Sequence, residues 1–323
     1  MPCPGSTAHV MLARWTLGFP RSAERLRSTA GDINDMTFRP DAQLDPGQVS
    51  DRRGRRVRGG GLAVGGGLGG LILVVAIVLL TGGNLGDLAG IGTSLPEGPI
   101  GSQQASECRT GEQANERLDC RIVGTVNSAQ AYWTDAFAAD GRQYEPAETV
   151  LFTSSVSTAC GGATSAVGPF YCPLDRTIYI DLGFYDQLES EFGAVGGPLA
   201  EMYVISHEYG HHVQNLLGLL EGGRDAGAEG GAVRTELQAD CFAGVWAGNA
   251  VDTGFLEPIS RQQLAQALDA AAAIGDDRIQ EQMQGQVDPH AWTHGSSEQR
   301  QEWFTTGFET GTADACDTFE ADL

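Results

Sequence analysis

Two histidines and a glutamate stand at a spacing that suits metal chemistry in His207-Glu208-Tyr209-Gly210-His211. On a helix, residues four positions apart project from one face, so both imidazoles can bind the same ion. Glu208 is then placed to take a proton from a water on that ion. His212 points about a third of a turn away from His211, so we expect it to pack or hydrogen-bond. The H-E-x-x-H pattern therefore predicts a zinc site with Glu208 as general base.

A catalytic zinc ion with three protein ligands needs one more residue. Glu236-Leu237-Gln238-Ala239-Asp240 begins 25 residues after His211, in an otherwise apolar stretch. A carboxylate that points into an apolar interior needs a partner, and a metal ion is one. We predict Glu236 as the third ligand and Asp240 as the acceptor of a ligand histidine's N–H. Asp225 and Glu229 are alternative ligands, and a solvated acidic face is the alternative without a metal.

Hydrolysis through a tetrahedral intermediate also needs a donor for the developing oxyanion. His294 and Arg300 are the candidates, in the segment from Trp292 to Arg300. Each has a structural alternative, because His294 can cap a turn and Arg300 can pair with an acid. Both are therefore predicted as catalytic or site-supporting residues.

The segments between these residues predict a mostly helical domain with a small sheet. Helix starts are marked by a first-turn proline or by a Ser…Gln capping box, and strands by runs of β-branched and aromatic residues. The predicted helices are one capped by Asn127 or Ser128 that runs through Phe137, one from Pro198 to about Leu220, one from about Ala232 to Asn249, one capped by Ser260 that runs through Ala273, and one capped by Ser296 that carries Trp303. The predicted strands are 149–153 and 177–181. The fold class is therefore α+β.

An uncharged stretch of 25 residues runs from Gly59 to Gly83, and a membrane helix needs about 20. Five arginines lie just before it, and the next arginine is Arg109. The positive-inside rule then places 1–58 in the cytoplasm and 84–323 outside. No A-x-A-like site follows Leu80, so we predict an uncleaved single-pass signal anchor instead of a cleaved signal peptide. A buried glycine-rich core helix is the remaining alternative.

This orientation divides the chain into four parts. Residues 1–58 are predicted as a cytoplasmic, largely disordered segment, and 59–83 as the transmembrane anchor. Residues 84–107 read as a Gly/Ser/Pro-rich linker, and 108–323 as the zinc-binding domain. A polar run opens at Met36, which suggests that Met36 is the natural start and that 1–35 is a misassigned extension.

The net charge of −22 comes from 42 acidic residues and 20 basic residues, all arginine. Residues 1–58 hold 10 arginines and 6 acids, a net of +4, and the rest holds 10 arginines and 36 acids, a net of −26. An acidic domain without a basic patch argues against a nucleic-acid partner. The predicted partners are a protein or peptide substrate and the cytoplasmic membrane, and the oligomeric state stays open.

Six of the seven cysteines follow the predicted anchor. An even number suits disulfides in an oxidising compartment, although six buried thiols are the alternative. Six cysteines allow 15 pairings, and their order along the chain favours neighbours. The favoured pairs are Cys108–Cys120, Cys160–Cys172 and Cys241–Cys316.

Several segments together resemble a known family. H-E-x-x-H followed by Glu236 and Asp240 resembles the gluzincin metallopeptidases, and the wider pattern resembles the bacterial YpfJ-like family of neutral zinc metallopeptidases. The matching segments are the Gly-rich stretch 59–83, Ala159 to Pro173, Val204 to Gln214, Glu236 to Trp246, Ala273 to Asp277, and Thr293 to Gly295. The resemblance spans roughly residues 50–320. It implies a zincin-like fold, with His207, His211 and Glu236 as zinc ligands and Glu208 as catalytic base.

The leading hypothesis is a membrane-anchored zinc endopeptidase at the bacterial cytoplasmic membrane, with one zinc ion per chain. One alternative is a zinc-stabilised envelope scaffold without turnover, whose metal site is closed by a fourth ligand such as Asp225, Glu229 or His294. A second alternative is a zinc amidase acting on cell-wall peptide. The sequence leaves the substrate open.

Overall fold

The computed structural model describes residues 37–54, 105–220 and 223–323. The predicted anchor over 59–83, the proposed start at Met36 and most of the predicted linker 84–107 lie outside these residues. Within the described ranges, no helix is both long and apolar enough to cross a membrane.

Helices form most of the described chain. The helices are α1 (Gly111–Glu116), α2 (Leu118–Ala139), α3 (Gly183–Ser190), α4 (Pro198–Leu217), α5 (Gly231–Asn249), α6 (Arg261–Ala273), α7 (Asp276–Gln284) and α8 (Ser297–Thr310). Two long central helices, α4 and α5, pack against each other, and α5 also packs against the last helix, α8.

A mixed four-stranded sheet and a separate hairpin accompany the helices. The strands are β1 (Val49–Asp51), β2 (Glu148–Phe152), β3 (Ser155–Thr158), β4 (Gly161–Thr164), β5 (Phe170–Cys172) and β6 (Thr177–Asp181). The sheet order is β1-β2-β6-β5, with β5 antiparallel to β6 and the other pairs parallel. Strands β3 and β4 form the hairpin. The predicted α+β class is confirmed.

The predicted helices agree closely with α4, α5, α6 and α8, and differ for α2. Capping boxes at Ser260 and Ser296 are present as predicted. Helix α4 ends at Leu217, before the predicted end, because Gly218 turns left-handed at φ 73°. The prediction that Asn127 or Ser128 caps α2 is wrong. Asn127 lies inside the helix and its side chain accepts from Asp45 N at 2.7 Å and donates to Asp45 O at 3.0 Å.

Residues 37–54 belong to the folded domain, which corrects the prediction that 1–58 is largely disordered. Phe38 is fully buried, and Leu44 and Val49 join it in the main hydrophobic core. Strand β1 adds a parallel edge to β2. The predicted domain start at residue 108 is also wrong, because Ala105 is fully buried in the same core. Burial of these apolar side chains stabilises the segment on the domain.

Disulfides join the pairs of cysteines that the chain order favours. They are Cys108–Cys120, Cys160–Cys172 and Cys241–Cys316. The third closes the longest loop and ties α5 to the C-terminal segment. In the chain-entropy account, such a long loop gives the largest stabilisation.

Candidate metal centre

The two helices that carry the predicted ligands touch through their backbones at the centre of the site. Gly210 lies between the two histidines of α4, and Ala239 lies between Glu236 and Asp240 of α5. A Cβ at Gly210 would stand 2.7 Å from Ala239 O and 2.9 Å from Ala239 Cα. Only glycine permits this approach, which sets the distance between the ligand side chains.

The structure brings the three predicted ligands together. His207 Nε2 lies 3.1 Å from Glu236 Oε2, and His211 Nε2 lies 3.5 Å from Glu236 Oε1. One ligand atom from each residue falls within 4.8 Å of the other two. The side chains of His207, His211 and Glu236 are 9%, 15% and 10% exposed, so the cluster is nearly closed to solvent.

Asp240 binds the ring nitrogen of His207 that faces away from the ligand cluster, as predicted. His207 Nδ1–H donates to Asp240 Oδ1 at 2.8 Å. The same oxygen accepts from Tyr203 Oη at 2.5 Å. Burial lowers the pKa of His207, but the charge and hydrogen bond of Asp240, together with Glu236, outweigh it and raise that pKa to about 10. This arrangement leaves Nε2 of His207 facing the ligand cluster.

Arg300 contacts Asp240, as the alternative that it pairs with an acid predicts. Its Nη2 donates to Tyr203 Oη at 3.0 Å and to Asp240 Oδ1 at 3.1 Å. Its Nε forms an ion pair with Asp240 Oδ2 at 3.0 Å, without the alignment of a hydrogen bond. The Arg300 side chain is only 1% exposed, so its guanidinium is committed to these partners. The supporting role is the one that its contacts fit.

Gln214 binds Nδ1 of His211, as Asp240 binds Nδ1 of His207. His211 Nδ1–H donates to Gln214 Oε1 at 2.8 Å. The Gln214 amide in turn donates to Thr235 O at 2.7 Å and to Gln238 Oε1 at 3.0 Å, both on α5. The sequence prediction missed Gln214 and Tyr203. The available signal was their position, three residues after His211 and four before His207 on the same helix.

Glu208 is buried beside the ligands. Burial raises the pKa of Glu208 above its usual range, although His211 and His207 act in the opposite direction. The described residues supply it with no hydrogen bond, unlike Asp240. Its carboxylate is therefore not committed to a neighbour and is suited to exchanging a proton.

His294 lies close to the ligand cluster, on the loop before α8. Burial raises the pKa of Glu236, but His211 and His207 hold it well below its usual range, and His294 adds to their effect. The His294 side chain is 14% exposed. Its predicted role as an oxyanion donor stays a prediction.

The remaining candidates lie apart from the cluster. Asp225 is exposed and accepts from Gly231 N, at the start of α5, at 3.2 Å. Glu229 is also exposed. His212 is buried between Tyr171 and the backbone of Glu145, so it packs and hydrogen-bonds as predicted.

The donor set fits zinc. Zinc in proteins is bound by imidazole nitrogen and carboxylate oxygen, and catalytic sites use three protein ligands. Two histidines and one glutamate supply that set, and no fourth Cys, His, Asp or Glu of the described ranges joins the group. The buried carboxylates Glu208 and Glu236 also create a negative environment that a cation would neutralise.

Sequence comparison finds both a family and named relatives. The sequence model described as "Putative neutral zinc metallopeptidase" matches residues 37–319. The uncharacterised protein Rv2575 of Mycobacterium tuberculosis is 52% identical over 225 residues, 67% of this chain and 75% of that protein. The uncharacterised protein YpfJ of Escherichia coli is 42% identical over 284 residues, 84% of this chain and 95% of that protein. No solved structure matches the chain. The chain therefore belongs to the neutral zinc metallopeptidase family.

Proposed function

We propose that the protein is a zinc-dependent endopeptidase that uses Glu208 as its general base. The observation that carries the proposal is the three-ligand group His207, His211 and Glu236 with the buried, uncommitted Glu208 next to it. When bound there, zinc would polarise the scissile carbonyl and lower the pKa of the attacking water. The residues then have distinct tasks.

Glu208 accepts the proton of the attacking water and delivers it to the leaving amine as the C–N bond breaks. Burial raises the pKa of Glu208, which makes its carboxylate a stronger base for this proton. His294 donates to the oxyanion, while Asp240 and Arg300 keep His207 in one tautomer and orientation.

The scaffold alternative is less well supported. A structural zinc site is closed by four protein ligands, whereas a catalytic one keeps a position open. The described residues offer three ligands in one group, and Asp225 and Glu229 are exposed elsewhere. This count favours turnover.

The test is Glu208→Gln in the full chain, purified in detergent. We expect the variant to keep one zinc per chain and to lose peptide cleavage by at least about 100-fold, because the base is gone but the ligands are not. Zinc is measured by elemental analysis and cleavage with an unbiased peptide library. Glu309→Gln, an exposed glutamate on α8, is the matched control.

Undiminished cleavage by Glu208→Gln would reject the base. Zinc binding by the unchanged chain without cleavage of the peptides would support the scaffold. Cleavage of cell-wall fragments alone would support the amidase.

The proposal also includes the location of the domain at the bacterial cytoplasmic membrane, facing outward. The uncharged stretch 59–83 supports the membrane. Three disulfides support an oxidising compartment. Residues 37–54 pack in the same domain, so the proposal places them outside as well.

A further inference from the structure

The loop that carries His294 lies directly against the helix that carries the third ligand. A Cβ at Gly295 would stand 3.1 Å from Leu237 Cδ2 and 3.2 Å from Val233 Cγ1. Trp292 packs in one small cluster with the same two side chains. Because Val233 and Leu237 flank Glu236 on α5, this loop sits at the edge of the metal centre.

One carboxylate oxygen holds this loop in place. Asp276 Oδ2, at the start of α7, accepts the backbone N–H groups of Thr293 at 2.7 Å, His294 at 2.6 Å and Gly295 at 3.1 Å. The backbone N–H of Asp276 returns a bond to Gly295 O at 2.8 Å. Three consecutive peptide groups are thus fixed by a single side chain that is 9% exposed.

The other oxygen faces the imidazole. Asp276 Oδ1 lies 3.4 Å from His294 Nδ1, and Thr293 Oγ1 lies 2.9 Å from the same nitrogen. Nδ1 of His294 therefore faces the side chains of Asp276 and Thr293. Within the described ranges Nε2 has no partner, so it is the nitrogen available to a substrate.

We propose that Asp276 is a positioning residue of the site, which orients both the 293–295 backbone and the His294 ring so that Nε2 can donate to the oxyanion. This inference rests on the proposed peptidase function and deepens it. It assigns to the Asp276 carboxylate a task that Asp277, its neighbour, does not share. Asp277 Oδ1 instead accepts from Ser297 N at 2.7 Å and Ser297 Oγ at 2.9 Å, which secures the start of α8.

The charges around His294 agree with this task. The groups that face it are Asp276 from α7, Glu236 from α5 and Arg300 from α8. Burial lowers the pKa of His294, but the bond with Asp276 and the charge of Glu236 outweigh burial and Arg300, so the pKa is raised. An oxyanion donor needs an N–H on Nε2, and the geometry leaves that nitrogen free of protein partners among the described residues.

The first arm of the test measures cleavage of the best peptide from the library. We expect Asp276→Asn to lower kcat about 10- to 100-fold with little change in KM or zinc content, since loss of one oxyanion donor costs about 100- to 1000-fold. Asp277→Asn, the matched control, should stay within about threefold of the unchanged chain. In a His294→Gln background, Asp276→Asn should cause no further loss, because residues that act as a unit are not additive.

Equal kcat losses in Asp276→Asn and Asp277→Asn would overturn the proposal, since they would reveal a shared structural effect. A further tenfold loss in the His294→Gln background would overturn it as well.

The second arm needs no activity. The ring nitrogens of His294 are followed by NMR in the zinc-free full chain with 15N-labelled histidine, assigned by comparison with His294→Gln. We expect the titration midpoint of His294 to fall in Asp276→Asn and to stay in place in Asp277→Asn. An unmoved midpoint in Asp276→Asn would overturn the pairing. If the unchanged chain cleaves no peptide, the proposed function fails, and this arm still decides the pairing.

Discussion

The three carboxylates around His207 and His211 differ in what compensates their charge. Asp240 has Arg300 and Tyr203, and Glu236 has the two imidazoles. For Glu208 the described residues provide no hydrogen bond, and burial raises its pKa. The proposed division of tasks agrees with these partners, because a compensated carboxylate holds its charge and an uncompensated one can exchange a proton.

At the residue scale, spacing was enough to predict the three ligands and Asp240 but not the other residues that support them. His207, His211, Glu236 and Asp240 share helical faces at four-residue intervals, so local periodicity finds them. Asp276 supports His294 across 18 residues of chain, through backbone N–H groups that leave no trace in the side-chain pattern. Contacts of this kind depend on how α7 meets the loop before α8, which tertiary packing decides.

The role of Asp240 can be tested through metal affinity. Asp240→Asn replaces the charged acceptor of the His207 N–H by an amide and leaves Arg300 buried without its counter-charge. We expect zinc to bind about 10- to 100-fold more weakly, since outer partners of ligand histidines contribute this much. Competition with a chromophoric chelator measures the affinity. Tyr203→Phe, which removes only one donor to Asp240, should have a smaller effect, and an unchanged affinity in Asp240→Asn would contradict the assignment.

At the element scale, helices with capping signals were predicted well and short strands were not. Ser260 and Ser296 mark their helices locally, whereas β1 has three residues and pairs with a strand about 100 positions later. A strand this short has no alternation to detect. The start of α2 was mispredicted because Asn127, a good capping residue, is used to bind the backbone of Asp45.

The contact between α4 and α5 predicts the effect of a single methyl group. Gly210→Ala would push a Cβ against the backbone of Ala239, and backbone cannot move aside as a flexible side chain can. We expect the helices to separate, with a loss of about 1–3 kcal/mol in the free energy of unfolding and at least about tenfold weaker zinc binding. Chemical denaturation and chelator competition measure the two effects. Gly183→Ala, whose Cβ would meet its neighbour at an ordinary 3.4 Å, is the control and should keep its zinc affinity.

His212 links α4 to β5 and predicts a pH dependence of stability. Its Nε2–H donates to Glu145 O at 2.7 Å and its Nδ1 accepts from Tyr171 Oη at 3.0 Å, so the ring is bound in its neutral form. Burial, with some help from Arg176, lowers the pKa of His212 from 6.5 to about 4. The unfolded chain therefore takes up this proton first as the pH falls. The contribution is complete above pH 6.5 and lost toward pH 4, up to about 3 kcal/mol.

The measurement is the free energy of unfolding between pH 4 and pH 7 for the unchanged chain and for His212→Gln. The difference between the two curves isolates His212 from the other histidines, and it should shrink as the pH falls. His290→Gln, at an exposed position, should leave the curve unchanged. A difference that is constant across this range would contradict the prediction.

At the scale of the whole molecule, the described residues on either side of 55–104 lie close together. Asp51 Oδ2 accepts from Ala105 N at 3.0 Å. Arg53 pairs with Asp51 at 2.6 Å and with Asp119 at 3.1 Å. Residues 51–53 are therefore held close to residues 105 and 119 by hydrogen bonds and ion pairs. Because β1 pairs with β2, the two parts of the domain lie on the same side of a membrane.

The membrane orientation predicted from the sequence depends on arginines that also form ion pairs within the folded domain. Of the five arginines before the uncharged stretch, Arg52 pairs with Glu148 at 3.1 Å, and Arg53 pairs with Asp51 and Asp119. The positive-inside rule counts such residues as free charges near the membrane. The ion pairs of Arg52 with Glu148 and of Arg53 with Asp119 could not be predicted from a short stretch of sequence, because these partners lie 96 and 66 positions away.

We therefore predict that residues 37–54 and 105–323 share one compartment, and that it is the outer one. Asp41→Cys and Glu320→Cys place thiols at exposed positions on the two parts, in a chain whose Cys3 is replaced by Ser. Both should react with a membrane-impermeant thiol reagent while the cytoplasmic membrane is intact, and lysis should not increase either reaction. Reaction of the Glu320→Cys variant alone would place the two parts in different compartments and contradict the strand pairing. Protection of both would keep the pairing and move the domain inside, where its disulfides would not persist.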